Sequence, residues 1–470
     1  MMAARTATAV GAPGAAARGV LHVLVVAHAF PPNASIGTMR TLRLVRHLAD
    51  AGWQVSVLTD TADALLPSIP IDMSLVARIP SGVSVIRAAS WSGFRRVLRR
   101  PAPATATPAT PRRALSPVGR LRSLAAQVAA VAHMPDRQAG WFAPAVMSGV
   151  AWSRAGGRPD VIYSSAPPWT GHLVAAVLAR RLDRPWVADF RDPWARVPWR
   201  SAKLTALERR SAQRLERIVV RRADALIFAT RANCADFAAY YGEGLRSRAH
   251  FVPNGCDPDD VAGPPAPAPA SEGDEVFELL HAGSLYGGRD PAPLLRAIRR
   301  LVDRGDLDPG RFRLRLLGRT SLPGQDLAAT VRDLGLEGPV VMNGPVSRDE
   351  SLRAMRSASA LLLLQPGTTV SVPGKLFEYL ATGRPILALT EESETAELVR
   401  ASGVGVAVLP DDEAAIAGGL LAVLAFGRRP LPSVPPALWD GRVRARETTE
   451  ILERAVANRQ ALPDALTATA

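Results

Sequence analysis

Short apolar runs alternate with helical patterns through the first half of the chain. Leu42, Val45 and Leu48 share one stripe at helical spacing. Continuously apolar strands between such helices are typical of a parallel sheet that is covered on both faces. The pattern predicts strands at 20–27, 54–58, 161–163, 186–188 and 225–228, and helices at 38–51, 173–181 and 204–222.

A second unit with the same alternation follows residues 259–275, which are rich in proline, alanine and acidic residues and are predicted to be a linker. The predicted strands are 277–280, 312–317, 340–342, 360–364, 386–389 and 404–408, and the predicted helices are 291–304, 327–334, 347–356, 376–382, 413–425 and 443–456. The fold class is therefore α/β. We expect two Rossmann-like domains, 20–258 and 276–430, then a terminal segment with a helix at 431–456. A disordered leader at 1–19 and a tail at 457–470 complete the predicted organisation.

The composition argues against a disulfide-rich protein, a metal site built on cysteines and a membrane-spanning protein. Cys234 and Cys256 supply neither a disulfide framework nor a metal-binding spacing, which fits a reducing compartment. No apolar run is long enough to cross a bilayer. The first run continues into Phe30 without a convincing cleavage site, so a buried strand explains it better than a signal peptide does. We expect a cytoplasmic protein, with peripheral attachment to the inner face of the plasma membrane as an open alternative.

Positive charge is concentrated in one part of the chain. The formal net charge is +14, and residues 73–135 contain ten arginines but no acidic residue. Within this stretch lies a low-complexity insert, at about 92–125, which is predicted to be disordered. A basic arm of this kind could rest on anionic lipid head groups, or it could be an ordinary solvated loop. Nucleic acid is not expected as a partner, because the arm has few aromatic residues that could stack on bases.

One lysine marks a candidate anion site. The chain contains only two lysines, Lys203 and Lys375, although it has 57 basic residues in all. Lys375 follows a predicted turn and opens a predicted helix, where backbone N–H groups and the helix dipole favour an anion. Glu378 lies three residues later on the same helical face. This pair could grip the phosphate and ribose of a sugar nucleotide, or it could be a surface ion pair on a capped helix.

Five motifs in order along the chain carry a resemblance to a known family. The chain resembles the family-4 retaining glycosyltransferases of the GT-B fold, in the bacterial branch that acts on surface polysaccharide and related acceptors. This resemblance implies two domains that face each other across a cleft, and a C-terminal helix that returns to the first domain. The motifs are FPPNASIG at 30–37 followed by Arg40, DFRDPW at 189–194, VPNGCD at 252–257, HAGSLYGGRD at 281–290 and PGKLFEYLATGRP at 373–385.

The resemblance assigns roles in the second domain. Arg289 is the candidate for contacting the donor diphosphate together with Lys375, because a guanidinium binds phosphate through two hydrogen bonds. Glu378 is expected to hold the nucleotide ribose. The remaining candidate contacts are the glycines and serines that let the backbone approach the donor, namely Gly283, Ser284, Gly288, Ser371 and Gly374.

The first domain supplies the other candidates. A glycine at position 37 would let the backbone approach a phosphate at the start of the first helix. Arg40 and Arg191 are expected to bind substrate. Asp192 is a candidate catalytic group, although a structural ion pair or a helix cap would explain it equally well.

Two positions depart from the family pattern. Many relatives carry two glutamates eight residues apart; Glu378 matches the second, but Val370 stands at the first. Backbone amides near Ser371 and Val372 are expected to replace the missing sugar contact. The acceptor-side histidine of many relatives falls at Ser165.

The function predicted from these features is transfer of a sugar from a nucleotide-diphosphate donor to a glycan, lipid-linked or small-molecule acceptor, with retained anomeric configuration. No metal and no other cofactor are expected, because the resembled family is usually metal-independent. A sugar-nucleotide epimerase of the same architecture and a non-catalytic binding subunit remain as alternatives. An NAD oxidoreductase is disfavoured, because the chain lacks a complete dinucleotide fingerprint.

Overall fold

A computed structural model describes most of the chain. The described residues are 19–61, 71–91, 134–196, 204–262, 276–286, 288–322, 324–426 and 430–467. Several predictions fall outside these ranges: those on the leader up to residue 18, the basic insert at about 92–125, the linker from residue 263 and Lys203. Within the described ranges, no helix combines the length and the apolar character that crossing a membrane requires.

The first domain is built on a seven-stranded sheet in which every strand pair is parallel. The strand order β3-β2-β1-β4-β5-β6-β7 is that of a doubly wound sheet, in which the chain starts near the middle and winds out in both directions. The strands are β1 (His22–Val26), β2 (Gln54–Asp60), β3 (Ser84–Ala88), β4 (Val161–Ala166), β5 (Trp186–Phe190), β6 (Ala225–Phe228) and β7 (Ala249–Phe251). The helices are α1 (Ile36–Asp50), α2 (Phe142–Arg154), α3 (Thr170–Leu182), α4 (Ala206–Arg222) and α5 (Arg231–Tyr241).

A short helix, α6 (Pro258–Val261), follows β7 and leads towards the second domain. That domain has a six-stranded parallel sheet in the order β10-β9-β8-β11-β12-β13. Its strands are β8 (Phe277–Ala282), β9 (Phe312–Leu317), β10 (Val340–Asn343), β11 (Ala360–Gln365), β12 (Ile386–Thr390) and β13 (Gly405–Val408). Its helices are α7 (Ala292–Asp303), α8 (Leu327–Asp333), α9 (Arg348–Ser357), α10 (Gly374–Thr382), α11 (Glu394–Ala401) and α12 (Glu413–Phe426).

Both faces of the first sheet are covered, which explains why its central strands are apolar throughout. Leu24 and Val25 are neighbours in β1, so their side chains point to opposite faces, and both are fully buried. Leu24 belongs to a core cluster with Ala175 of α3. Val25 belongs to a second cluster, which includes Leu452 near the end of the chain.

The last helix, α13 (Gly441–Thr467), returns to the first domain. Ile451, Leu452 and Val456 pack in the same core cluster as Leu42 and Val45 of α1. The predicted α/β fold with two Rossmann-like domains and a returning helix is therefore confirmed. The helix continues to Thr467, beyond its predicted end at residue 456.

Sequence patterns missed several short or partly buried elements. The edge strands β3 and β7 are short and only partly buried, so they lack the continuous apolar run of a central strand. The unpredicted helices are α2, α5, α6 and α11. The central elements carry the strongest hydrophobic signal because both of their faces are buried, and the strands predicted there match the structure closely.

The two domains meet through groups at the carboxyl ends of their sheets. Thr230 lies just after β6, and its hydroxyl donates a hydrogen bond of 3.0 Å to the carbonyl oxygen of Val370, which lies after β11. In open parallel α/β sheets, ligands bind outside the carboxyl ends of the strands. The cleft between these two edges is therefore the place to look for the functional site.

Candidate active site

Lys375 and Glu378 lie on the first turns of α10, as the spacing predicts. The helix begins at Gly374, and Pro373 before it provides no side-chain cap, so the first N–H groups of the helix are left for a ligand or solvent. Lys375 Nζ lies 3.4 Å from Glu378 Oε2 and donates to Ser351 Oγ over 3.4 Å. Both contacts are long, so the ammonium is held near the helix mouth without being fully engaged.

Arg348 is a site residue that sequence reasoning missed. It opens α9, and its Nη1 donates to Glu378 Oε1 over 2.7 Å while its Nη2 donates to Asp260 Oδ2 over 3.0 Å. Burial by itself lowers the pKa of Arg348, but the carboxylates of Glu378 and Asp260 outweigh it and raise that pKa above its usual value. Arg348 thus fixes Glu378 through one carboxylate oxygen. The other oxygen, Oε2, is buried and accepts no hydrogen bond from the described residues.

Arg289 lies on the loop after β8, where one aromatic and one polar side chain contact it. Its guanidinium carbon lies 4.3 Å from the centre of the Tyr286 ring, and its Nη2 donates to Gln365 Oε1 over 3.1 Å. Gly288 precedes it with a φ of +89°, a backbone conformation that glycine adopts without strain. Most of the guanidinium donors of Arg289 make no hydrogen bond to described residues, so they can face a ligand.

Gly283 and Ser284 take part in packing between adjacent loops. The amide of Gly283 donates to the carbonyl of Leu317, and the amide of Arg319 donates to Ser284 Oγ over 3.3 Å. The tightest backbone approach occurs at Gly318, where an added Cβ would lie 2.6 Å from the carbonyl oxygen of Gly283. Close packing in these loops demands a glycine at Gly318, which faces Gly283, and the role of Gly283 in the donor site stays a prediction.

A buried histidine lies near the end of β8, the strand that leads to the Arg289 loop. His281, at the end of β8, donates from Nδ1 to the carbonyl of Leu362 over 3.0 Å. Burial, together with the positive charges of Arg289 and Lys375, lowers the pKa of His281 to about 4. Arg289 and Lys375 lie in one region of the second domain, because Arg289 bonds to Gln365 at the end of β11 and Lys375 lies on α10 after the next loop. His281 is neutral at physiological pH and adds no charge there.

The loop 366–373 between β11 and α10 holds the remaining second-domain candidates. The amide of Gly367 donates to Glu391 Oε1 over 2.7 Å, and the hydroxyls of Thr368 and Ser371 lie 3.2 Å apart. The Val370 carbonyl accepts the bond from Thr230 described above. Gly374 begins α10 directly before Lys375, and Ser371 lies in the loop that leads to it.

Arg40 has a structural role that the sequence did not reveal. It donates to both carboxylate oxygens of Asp189, over 2.7 Å and 2.9 Å, and to the carbonyls of Val252 and Pro253 and the side chain of Asn254. These bonds use all five of its N–H groups. The prediction that Arg40 binds substrate is therefore corrected. In this structure it ties the ends of β5 and β7 to α1 and has no free donor.

Asp189 forms the centre of that buried cluster. Besides Arg40, it accepts hydrogen bonds from Tyr163, over 2.6 Å, and from Ser165, over 3.1 Å. Burial alone would raise the pKa of Asp189, but the Arg40 charge and these hydrogen bonds hold it below its usual value. Ser165, at the position of the relatives' histidine, thus supports a buried carboxylate.

Gly37 lies against the guanidinium of Arg191. A Cβ at position 37 would lie 1.9 Å from Nη1 of Arg191, so the end of this side chain would have to shift for a larger residue. Arg191 Nη2 donates to the carbonyl of Pro167 over 3.0 Å, and its Nε lies 3.6 Å from the half-exposed carboxylate of Asp192. The predicted backbone approach to a phosphate at Gly37 stays a prediction. Arg191 covers that surface, and Asp192 beside it remains open to solvent.

An ion network joins the two domains near α6. Asp257 pairs with Arg43 of α1, and it lies 3.5 Å from Arg78. Arg78 also contacts Asp260 over 2.8 Å, and Asp260 in turn accepts from Arg348 of the second domain. The network therefore links the first domain to the residue that holds Glu378. Across the described part of the chain, no hydrogen bond or ion pair joins Arg191 or Asp192 directly to the second domain.

Two family models match the sequence in succession. A glycosyl transferase 4-like domain matches residues 37–255, and a glycosyl transferases group 1 model matches residues 277–425. These ranges correspond to the two parallel-sheet domains. A comparison with curated proteins finds no match.

Among the described residues, no group of three or more His, Cys, Asp or Glu side chains is arranged to hold a metal ion.

Solved structures with the same architecture include HepE from Anabaena, determined with UDP and glucose. It has a TM-score of 0.54 at 14% identity, and the match covers 95% of this chain and 100% of HepE. Sucrose-phosphate synthase from Thermosynechococcus elongatus has a TM-score of 0.53 at 16% identity, with 96% and 100% of the two chains covered. At these identities the likeness shows the fold, and the family models show the class of enzyme. The chain is a glycosyltransferase of the GT-B fold, with a 4-like first domain and a group 1 second domain, in the class of enzymes that use sugar-nucleotide donors.

Proposed function

We propose that this protein is a retaining glycosyltransferase that moves a sugar from a nucleotide-diphosphate donor to a glycan, lipid-linked or small-molecule acceptor. The observation that carries the proposal is the grouping of Lys375, Arg289 and Glu378 at the mouth of α10. Arg289 donates to Gln365 at the end of β11, the strand that leads into α10, and Glu378 lies one turn from Lys375 on that helix. Two cations and a carboxylate so arranged suit a diphosphate joined to a ribose.

The donor nucleotide would lie with its ribose at Glu378. The Oε2 atom of Glu378 is buried and accepts no hydrogen bond from the described residues; the Lys375 ammonium lies 3.4 Å from it as an ion-pair partner, and a lone pair is left for a ligand. A ribose hydroxyl can donate to that lone pair. The diphosphate would then reach the open N–H groups of α10, Lys375 and Arg289. HepE was determined with UDP and with UDP-glucose, which makes UDP the first nucleotide to test.

In the proposed reaction, the bond between the anomeric carbon and the diphosphate oxygen breaks, and a bond from that carbon to the acceptor oxygen forms on the same face. The acceptor proton passes to the departing diphosphate, so no dedicated nucleophile is needed. Negative charge grows on the diphosphate as the bond breaks. Arg289, Lys375 and the α10 N-terminus would stabilise that charge, because their positions are set before the reaction begins.

Substitution of Lys375 by alanine tests this assignment. A hydrogen bond to a charged group contributes about 1.5–3 kcal/mol, so kcat/KM should fall roughly ten- to a hundredfold or more. Arg304→Ala, at an exposed position after α7, is the control and should leave kcat/KM unchanged. An unchanged kcat/KM in Lys375→Ala would refute the role of this lysine. Nuclear magnetic resonance of the product's anomeric proton tests retention, since an inverted product would exclude the proposed geometry.

The two alternatives give different outcomes in the same assay. A sugar-nucleotide epimerase would convert the donor without an acceptor and form no transfer product. A non-catalytic binding subunit would bind UDP or a UDP-sugar and turn over none of a panel of acceptors. A thermal-shift screen with UDP, GDP, ADP and their sugars identifies the donor before either assay is run.

A membrane-bound acceptor is supported by a charged helix face in the first domain. Helix α4 exposes Leu207 and Ile218 on one side. Four exposed arginines lie on the same side, and within the described part of the chain none of them pairs with a carboxylate: Arg210, Arg214, Arg217 and Arg221. A basic face with an apolar centre suits an anionic lipid surface. We propose peripheral attachment at the inner face of the plasma membrane through this helix.

Flotation with liposomes tests the attachment. The triple charge reversal R214E/R217E/R221E should abolish binding to vesicles that contain phosphatidylglycerol, because each basic residue near an anionic surface contributes about 1 kcal/mol. The matched control is R304E/R313E/R332E, three exposed positions in the second domain, which should still bind. Equal flotation with neutral phosphatidylcholine vesicles, or equal loss in both triple variants, would contradict the proposal.

A further inference from the structure

We propose that Thr230 is a positioning residue that sets the donor-sugar loop, residues 366–373, when the two domains close. The inference deepens the proposed function and rests on it for the identity of the loop. Thr230 belongs to the first domain, whereas the loop belongs to the second. The acceptor domain would therefore take a direct part in shaping the pocket for the donor sugar.

The helix that Thr230 caps determines the direction in which the Thr230 hydroxyl donates its proton. Thr230 is the N-cap of α5, and its Oγ1 accepts a hydrogen bond of 3.1 Å from the amide of Asn233. A threonine hydroxyl has one proton to donate. With a lone pair committed to the cap, that proton is directed across the cleft to the carbonyl oxygen of Val370, 3.0 Å away. Thr230 is buried, so water competes little for this bond.

A second contact beside it supports the same closed arrangement. Glu394, the first residue of α11, accepts from the amide of Ala232 at the start of α5 over 3.4 Å. Its other oxygen lies 3.6 Å from Nη1 of Arg231. The carboxylate therefore lies between the N-termini of two helices, one from each domain, and both dipoles favour it. Arg231 is largely exposed, so its ion pair with Glu394 is worth little.

The composition of the loop 366–373 makes the position of its backbone important for sugar binding. Residues 366–373 contain no acidic side chain, and Val370 stands where many relatives carry a glutamate. Contacts from this loop to a sugar must then come from backbone groups and hydroxyls. The second domain holds the loop at Gly367, through Glu391. Within the described residues, the bond from Thr230 is the hydrogen bond that ties this loop to the first domain.

Three substitutions of Thr230 separate its two bonds. Thr230→Ser keeps both the helix cap and the donated proton, and it should behave as the wild type does. Thr230→Val keeps the shape but loses both bonds. Thr230→Asp keeps a good helix cap, since aspartate is favoured there, but its ionised carboxylate has no proton for the Val370 carbonyl. A role in the helix cap alone would be lost only in the valine variant.

The first measurement is hydrogen–deuterium exchange of the 366–374 amides in the free enzyme, which requires no substrate. In Thr230→Val and Thr230→Asp these amides should exchange roughly two- to tenfold faster, the factor expected for one neutral hydrogen bond. Thr230→Ser should show wild-type exchange. Unchanged exchange in Thr230→Asp would overturn the inference, whatever reaction the enzyme catalyses.

The second measurement is transfer from UDP-glucose, together with the Kd of UDP. In Thr230→Val and Thr230→Asp, kcat/KM should fall by a similar two- to tenfold factor, while the Kd of UDP stays within about twofold, because UDP lacks the sugar that the loop contacts. A parallel loss of UDP affinity would overturn the positioning role. Failure of the wild type to use any donor would count against the proposed function, and the exchange measurement would still decide the role of Thr230.

Discussion

Arg348→Gln offers the sharpest test of the ribose assignment. Arg348 holds Oε1 of Glu378 over 2.7 Å and also contacts Asp260 over 3.0 Å. In the variant, Asp260 keeps its contact with Arg78, but Glu378 retains only Lys375, 3.4 Å away. Without Arg348 the Glu378 carboxylate is no longer fixed in position, so the variant should weaken the ribose contact.

The expected rise in the Kd for UDP follows from the hydrogen bond between Arg348 and Glu378. A hydrogen bond to a charged group is worth about 1.5–3 kcal/mol. The side chain of Arg348 is 30% exposed, so solvent screening places the effect at the lower end of that range. The Kd for UDP should then rise about tenfold, because each 1.4 kcal/mol is a factor of ten. Arg353→Gln, at an exposed position of the same helix, is the control and should leave the Kd unchanged.

Isothermal titration with two nucleotides isolates the ribose. UDP and 2′,3′-dideoxy-UDP differ only in the hydroxyls that Glu378 is proposed to bind. If Arg348 acts through Glu378 on the ribose, its substitution should weaken UDP binding much more than dideoxy-UDP binding. An equal loss for both nucleotides would show that Arg348 acts elsewhere. An equal loss in Arg353→Gln would show a general effect of charge, and either result would refute the reasoning.

Three further predictions concern the framework of the site. Asp189→Asn leaves the Arg40 charge buried without its counter-ion and should lower the free energy of unfolding by about 3–5 kcal/mol in urea denaturation; a change below about 1 kcal/mol would contradict the buried pair. Gly37→Ala makes the end of the flexible Arg191 side chain move, and alanine favours the helix, so the free energy of unfolding should change by less than about 1 kcal/mol; a loss above about 2 kcal/mol would show that the guanidinium is held rigidly. The pKa of His281 is lowered from 6.5 to about 4, so below pH 6.5 only the unfolded state gains this proton. Stability should then fall towards pH 4, by up to about 1.4 kcal/mol per unit, and the fall should be shallower in His281→Gln.

Local sequence spacing identified the features that depend on neighbouring residues. Lys375 and Glu378 are three positions apart on one helix, and a helix brings such side chains together wherever it lies in the fold. Buried strands such as β5 and β11 were visible because both faces of each parallel sheet are covered. The two-domain α/β architecture could be predicted for the same reason.

Contacts between distant segments could not be predicted in this way. Arg40 is separated from Asp189 by 149 positions, and no local pattern indicates that these two side chains pair. Sequence reasoning therefore assigned Arg40 to substrate, although its N–H groups are all used within the protein. The spacing around Gly37 likewise gave no sign that the Arg191 guanidinium, which comes from a different strand end, lies against it.

The sequence by itself determined the fold class, the class of enzyme and the helix that bears Lys375 and Glu378, because periodicity and short motifs are local properties. Tertiary structure decided which charges are free and which are already paired. It placed Arg348 on Glu378 and Thr230 on the loop that contains Val370, 30 and 140 residues away in the chain. The physical reason is that pairing depends on distance in space, which is set only when both sheets are formed and their carboxyl ends face each other.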